Sequence, residues 1–442
     1  PDEVAHYKQH YVSASKGNYD IYVIFVEKGL SLLNPKGRFG FILPHKFFQT
    51  QYGEPLRKLI ADNKSLSKIV DFTTNQIFEN ATTYTCLLFL SKKENKEFKY
   101  LKLALKDDFV NLDKKENFEI MPSSKLKSNV WCFHTLAASK VVEKLNLVQT
   151  KLVDITKKIF KGSSTGNDKI YLLRLIKEKD KTCVVFSEQV DKEIELEKNI
   201  LKPFLFGSDI KKYGGPQTKI RILFPYEIVG DRVNLIPIEK LKKEYPLSFE
   251  YLSSVKLILM NRKIDHAAND FYKYSAARSL IEYNQTKIMI PDILVENRIT
   301  IDLNGSFYHG PAIHSIVFNE KVKNYNPLFF LGIFNSKLFW FYLTQTSTAL
   351  RGNAYRLIPQ FLEPFPIKLI NFNDPSEKAI HDKLVSLVDR MLELHKKKNS
   401  LPPSAEREKI EREIAVTDEK IDEIVYGLYG VTDEERRTIE GN

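Results

Sequence analysis

The sequence predicts an α/β unit, then an α+β region, then a pair of long helices folded as a hairpin. Three patterns carry that prediction. From Asn18 to Lys93, helix-period blocks alternate with strand-like ones, as in a layered α/β unit. From Trp131 to Ile370, short apolar strands are mixed with isolated helices and no repeat is visible. From Ser376 onward, apolar residues recur at heptad spacing on either side of a Pro-Pro break. A chain of 442 residues has room for two or three domains rather than one core. The composition shifts place their boundaries at 1–125, 126–375 and 376–442.

In the first block, Ile21, Ile24, Phe25, Leu30 and Leu33 follow a helical period that stops at Asn34-Pro35 and Gly37. RFGFILP (38–44) reads as a short buried strand closed by Pro44, and FFQTQYGEPLRKLIADN (47–63) as a helix. KIVDFT (68–73) and TTYTCLLFLSKK (82–93) are two further strands, rich in β-branched and aromatic residues. Lys93 to Lys127 is charged and punctuated, which suits a sheet edge and a linker. In the second region, CVVFS (183–187), IRILFPY (220–226), KIMIPDIL (287–294), ITIDL (299–303) and SIVF (315–318) read as strands, and PLFFLGIFNSKLFWFYLTQ (327–345) as helix. In the tail, Ile380, Leu384, Leu387, Met391 and Leu394 form one stripe; Ile410, Ile414, Thr417, Ile421, Ile424 and Leu428 form a second. Each stripe must be covered by the other helix, by the body, or by a partner.

Charge and cysteines narrow the function class. The net charge is +11, but Ser376–Asn442 carries −4, so the rest of the chain carries +15. A basic body suits a polyanion such as nucleic acid, and ordinary solubility charge is the bland alternative. Cys86, Cys132 and Cys183 lie far apart, with no CxxC pair and no His at zinc spacing, as expected of a reducing compartment. No run of 18 apolar residues occurs, and PDEVAHYKQHY lacks a signal-peptide pattern, so a cytoplasmic protein without membrane contact is expected. A nucleotide-binding α/β fold needs a glycine-rich turn after its first strand, and neither that turn nor a GxxxxGK loop is present. Residue 1 is Pro, so the cofactor half is expected in an upstream domain of the same polypeptide.

Two stretches resemble known families. YDIYVIFVEKGLSLLNPKGRFGFILPHKFFQTQYGEPLRKLI (19–60) resembles the segment that follows the NPPY motif in adenine-N6 DNA methyltransferases of the TaqI-like arrangement. IVDFTTNQIFENATTYTCLLFL (69–90) resembles that family's next two strands. The resemblance implies that the α/β unit is the distal half of a Rossmann-like methyltransferase sheet. It also implies S-adenosylmethionine as cofactor and a flipped adenine as substrate. Phe25 matches the aromatic that packs on the cofactor's adenine ring, although its helical period equally allows plain core packing. Phe78 matches the aromatic that stacks on the extruded base, with Asn80, Thr82 and Thr83 on the rim; capping a core is its bland alternative. NPPY itself is absent, and Asn34-Pro35 reads as a turn. No catalytic residue is therefore assigned within these residues, and the chain alone is expected to bind DNA without methylating it.

The second stretch resembles the TaqI-like C-terminal specificity domain of type IIG restriction-modification enzymes. Four blocks carry it in order: 159–173, 196–213, 283–318 and 331–367. The resemblance implies an α+β DNA target-recognition domain with double-stranded DNA as partner. In KGSSTGND, Lys161, Ser163, Ser164, Thr165 and Asn167 are small or basic hydrogen-bonding residues suited to base edges and phosphates, or simply to a turn. In TALRGNAYRLIPQ, Arg351, Asn353, Tyr355 and Arg356 are candidate base readers, since Arg pairs with guanine and Asn with adenine. Lys211, Lys212, Lys219, Arg221, Arg262, Lys263 and Lys273 could neutralise phosphates. PDILVENR imitates a nuclease signature, but Asp292 and Glu296 are too close and Arg298 ends it, so no metal site is expected. His309 and His314 read as strand and turn residues. A non-catalytic specificity or adaptor protein docking a partner through its tail, or an RNA-binding scaffold, fits the same composition.

Overall fold

A computed structural model describes residues 2–73, 77–78, 83–103, 118–131, 133, 136–230, 232–265, 267, 269–350 and 354–441. Packing divides the chain into one unit of Pro1–Val141 with Thr344–Tyr355, and a second of Val142–Leu343 with Arg356–Asn442. In the first unit, helices α1 (Asp2–His10), α2 (Tyr22–Leu32) and α3 (Glu54–Asp62) accompany strands β1 (Arg38–Pro44), β2 (Leu66–Asp71), β3 (Thr85–Ser91), β4 (Glu97–Lys102) and β5 (Glu119–Pro122). The sheet order is β1-β3-β2-β4-β5, with β2 and β4 parallel and the other neighbours antiparallel. β1, β2 and β4 therefore run the same way, and their carboxyl ends share one edge of the sheet.

β1 to β3 lie where the sequence predicts them, and the charged 93–127 stretch, expected as a sheet edge and a linker, supplies β4 and β5 at one end of the sheet. In EFKYLK, Phe98 and Tyr100 face inward while Glu97 and Lys99 face water, and that alternation is the strand signal the surrounding charge obscured. The helix after β1 also begins later than expected. His45–Phe48 and Gln51–Gly53 form tight 3₁₀ turns, and α3 starts only at Glu54, with Pro55 in its first turn. Arg57 ties the turns to α3 by donating to the carbonyls of Phe47 and Thr50. Gly53 permits this: a Cβ there would lie 2.2 Å from the Phe47 carbonyl oxygen.

α2 buries Tyr22, Val23, Val26 and Leu30 in one core with Leu56 and Ile60 of α3 and Leu66, Ile69, Leu88 and Leu90 of the sheet. Glu27 holds α2 to the preceding turn by accepting the N–H groups of Val12 and Ser13 at 3.1 and 2.8 Å. Ile21, Phe25 and Leu32 lie on the other face and are exposed, Phe25 to 56%. Core packing is therefore not what Phe25 does.

The second unit holds β6 (Thr156–Lys161), β7 (Leu172–Glu178), β8 (Thr182–Ser187), β9 (Lys192–Glu197), β10 (Leu201–Leu205) and β11 (Ile220–Leu223). β12 (Tyr226–Val229) and β13 (Arg232–Leu235) form a hairpin. β14 (Lys287–Pro291), β15 (Ile293–Leu294), β16 (Thr300–Asp302), β17 (Tyr308–His309) and β18 (Ile313–Phe318) follow. One sheet has the order β17-β10-β11-β7-β8-β9 and a smaller one β16-β14-β18-β6. The helix Pro327–Asn335 is buried from Leu328 to Asn335. The tail helix Pro375–Ser400 lies across it so closely that a Cβ on Gly332 would meet Leu384 and Val388 at 2.9 Å. The buried stripe of that tail helix is His381, Leu384, Val388, Met391 and Leu394, so Val388 takes the place the heptad count gave to Leu387. Ser404 caps the next helix, Ala405–Tyr429, and Arg390–Glu413 and Lys398–Glu411 ion pairs join the two. Among the described residues no helix is long and apolar enough to cross a membrane.

Candidate functional site

In the first unit, chemistry collects where β1, β2 and β4 end. His45 follows β1, Asp71 closes β2, and Tyr100 lies near the end of β4. His45 Nδ1 is 2.8 Å from Asp71 Oδ1, and the Tyr100 hydroxyl donates to Asp71 Oδ2 at 3.1 Å. The Thr73 N–H also donates to Asp71 Oδ1, at 2.8 Å. A carboxylate only accepts, so Nδ1 carries the hydrogen of this bond. Burial pushes the Asp71 carboxyl up, but the hydrogen bond and charge of His45, the Thr73 N–H and the Tyr100 hydroxyl outweigh it, so its pKa lies below the ordinary value. Burial, then the neighbouring Asp71 charge, pushes the Tyr100 hydroxyl well above its usual range.

Thr73 has φ of 52°, a left-handed conformation that β-branched residues avoid, and its hydroxyl donates to the Leu103 carbonyl. Asp71 thus fixes both the exit of β1 and the start of the segment that carries Phe78. The Phe78 ring is 46% exposed. Beside the Asp71 network lies a cavity of about 130 Å³ whose lining includes His45, Phe48, Lys102, Trp131, Phe133 and Tyr355. Aromatic walls around a few fixed polar groups suit a planar polar ring. Sequence reasoning missed this network; its signal was a His and an Asp each closing a strand that points the same way.

In the second unit, Lys161 and Arg356 meet around one carboxylate. β18 pairs β6 with His314 opposite Lys161, and β14 on its other side with His314 opposite Ile290. Asp292 follows β14, with Oδ2 3.6 Å from Lys161 Nζ and 3.8 Å from Arg356 Nη2, and Oδ1 3.4 Å from His314 Nε2. Lys161 is held here because Gly162 has no side chain: a Cβ would lie 1.8 Å from the His309 carbonyl oxygen. Gly162 is therefore used for packing against the chain itself.

The remaining candidates separate by burial. Ser163 is buried; its hydroxyl donates to the Arg278 carbonyl and accepts the Arg278 N–H. Thr165 is buried and donates to Asp168. Both shape the loop, while Ser164 and Asn167 are half-buried. Tyr355 lines the cavity of the first unit. Arg351 and Asn353, like Asn80 and Thr82, lie outside the described residues. Among the basic residues, Arg262 donates to the carbonyls of Leu259, Thr165 and Phe271, and Lys212, Arg221 and Lys273 are paired with Asp418, Glu178 and Asp270. Arg298 donates to the carbonyls of Gly207 and Ile210, and Glu296 is exposed. His309 is satisfied by Gly310 and Ser315, and burial lowers its pKa to about 3. Among the described residues no three His, Cys, Asp or Glu side chains group as metal ligands.

Residues 2–78 match the model of the Eco57I restriction-modification methylase, and residues 202–367 that of the TaqI-like C-terminal specificity domain. Over its whole length the chain is 30% identical to the type II restriction enzyme and methyltransferase RM.Eco57I of Escherichia coli, of which it covers 45%. It is 22% identical to the type II methyltransferase M.XhoI of Xanthomonas vasicola, covering 83% of this chain and 65% of that one. Among solved structures, the type IIL restriction-modification enzyme MmeI in complex with DNA covers all of this chain with a TM-score of 0.60 at 14% identity, which shows a shared fold. This chain covers 54% of that one and 45% of RM.Eco57I, about half the length of each.

Proposed function

This chain carries a methylase segment of the Eco57I restriction-modification type and a TaqI-like specificity domain, and from that premise we propose that it recognises duplex DNA for an adenine-N6 methyltransferase. In this reading the first unit is the distal half of a Rossmann-like methyltransferase sheet, and the two tail helices are a hairpin that clamps the second unit. The observation that carries the reading is the exposure of Phe25 and Phe78, two large rings left half in solvent in a unit whose core takes up Phe47, Phe48, Phe98 and Trp131. β1 supports it as well: among the described residues it stands at the end of the sheet order, an edge that further strands could extend.

Phe78 would stack on the extruded adenine, offsetting the few kcal/mol that unpairing costs. The Asp71 network fixes the start of the segment that carries it. S-adenosylmethionine supplies the methyl group when bound, and this chain fits it at one point, the open face of Phe25. The cofactor's glycine loop is not among these 442 residues. In the second unit, Lys161, Ser164, Asn167 and Arg356 would meet DNA; Arg351, Asn353 and Tyr355 belong to the first unit and are candidate base readers there.

Duplex binding measured against salt tests the proposal. Each neutralised phosphate contributes a slope of about −0.9 in log K against log salt, so six or more contacts cost roughly a thousandfold between 50 and 200 mM. A flat response, or tighter binding to single strands than to duplex, would overturn it.

A further inference from the structure

We propose that Asp292 is a base-reading residue, paired with Arg356 to match the major-groove edge of one C·G base pair. This rests on the DNA-recognition reading above and adds a specificity determinant to it.

The position is rigid. The Asp292 N–H donates to the Ala312 carbonyl, and its own carbonyl accepts the Leu357 N–H, each at 2.8 Å. The side chain is only 14% exposed, yet Oδ1 is buried without a hydrogen-bond partner among the described residues. Its nearest cation candidate, His314, is fully buried, and burial lowers that ring's pKa to about 4, so at neutral pH it brings no compensating charge. The two cations at Oδ2 stand at 3.6 and 3.8 Å, outside the 2.7–2.9 Å of a made charge-assisted hydrogen bond. Lys161 and Arg356 keep 39% and 48% of their side chains in water. A pair built for stability would close that gap, because a buried carboxylate without hydrogen bonds is costly. Here two donors and an acceptor stand within 4 Å without satisfying one another.

DNA chemistry selects the partner. A carboxylate repels phosphate, so on a DNA-facing surface its productive contact is a base-edge donor, cytosine N4 being the usual one. Arg pairs bidentately with guanine O6 and N7. A single C·G pair presents the donor and the two acceptors side by side, which is what an Asp flanked by an Arg and a Lys can satisfy.

The test is selection of a randomised duplex pool by the full chain, followed by affinities for every single-base-pair variant of the selected site. Wild type is expected to require C·G at one position. Asp292→Asn should lose about 5- to 150-fold discrimination at that position alone and turn toward A·T, since Asn pairs with adenine. Arg356→Ala, at an exposed side chain that the fold does not need, should relax the same position. Equal changes on every variant, or an effect of Arg356→Ala at a different position, would overturn the inference while leaving DNA recognition standing. Failure of wild type to select any site would instead remove the recognition reading itself.

Discussion

Asp422 shows how one buried carboxyl sets a pH response. It is buried in the second tail helix, Ala405–Tyr429, accepts the Lys337 N–H at 2.8 Å through Oδ1, and leaves Oδ2 without a hydrogen bond among the described residues. Burial is the main cause that raises its pKa to about 6; the Lys337 N–H opposes this, and the Asp418 charge adds to it. A carboxyl whose folded pKa lies above its unfolded value binds more protons in the folded state. Its contribution is therefore favourable at low pH and is lost as pH rises from about 4 to about 6. Asp422→Asn keeps the acceptor and removes the titration. The stability gap between variant and parent should move by about 2 kcal/mol in the variant's favour between pH 4 and pH 7. Urea melts of both proteins across that range check it, and a constant gap would count against the assignment.

At the scale of elements, Gly162 is the point where β6 meets β17. Alanine there would drive a Cβ into the carbonyl oxygens of His309 and Gly310, at 1.8 and 2.6 Å, and backbone atoms cannot step aside as a side-chain end can. Gly162→Ala should cost about 3 kcal/mol or more and displace Lys161 from Asp292. Thermal melts would show the loss, and site preference should weaken with it; an unchanged melting temperature would mean the strands do not approach this closely. The same junction shows where sequence reading stops. β1, β2 and β3 were legible because each is a local apolar run between turn signals. β4 was not, because Phe98 and Tyr100 alternate with charged residues inside a charged stretch, and its neighbours β2 and β5 are brought to it only by the fold. Phe25 was ambiguous because its helix is apolar on more than one face, and burial chooses Tyr22, Val23, Val26 and Leu30. Asp292 looked like a failed nuclease motif in linear spacing. Its meeting with Lys161 depends on β18 lying between β6 and β14, a register that only folding creates.

At the scale of the molecule, each unit closes its own hydrophobic core. Ile69 is fully buried with Leu66, Leu88 and Leu90 in the first. In the second, Met391 and Leu394 of the tail are buried like Leu384 and Val388, which pack on Gly332. Those four side chains of the tail helix are thus covered within the chain. A core closed within one unit can unfold as its own cooperative step. Calorimetry of the intact chain is therefore expected to resolve two transitions. Ile69→Ala should lower only the one belonging to the first unit, and Leu384→Ala only the other, since a buried Leu or Ile truncated to Ala costs about 2–5 kcal/mol of the core that holds it. If either substitution shifted both transitions equally, the two units would have to share one cooperative core. The DNA recognition proposed for the second unit would then depend on the folding of the first.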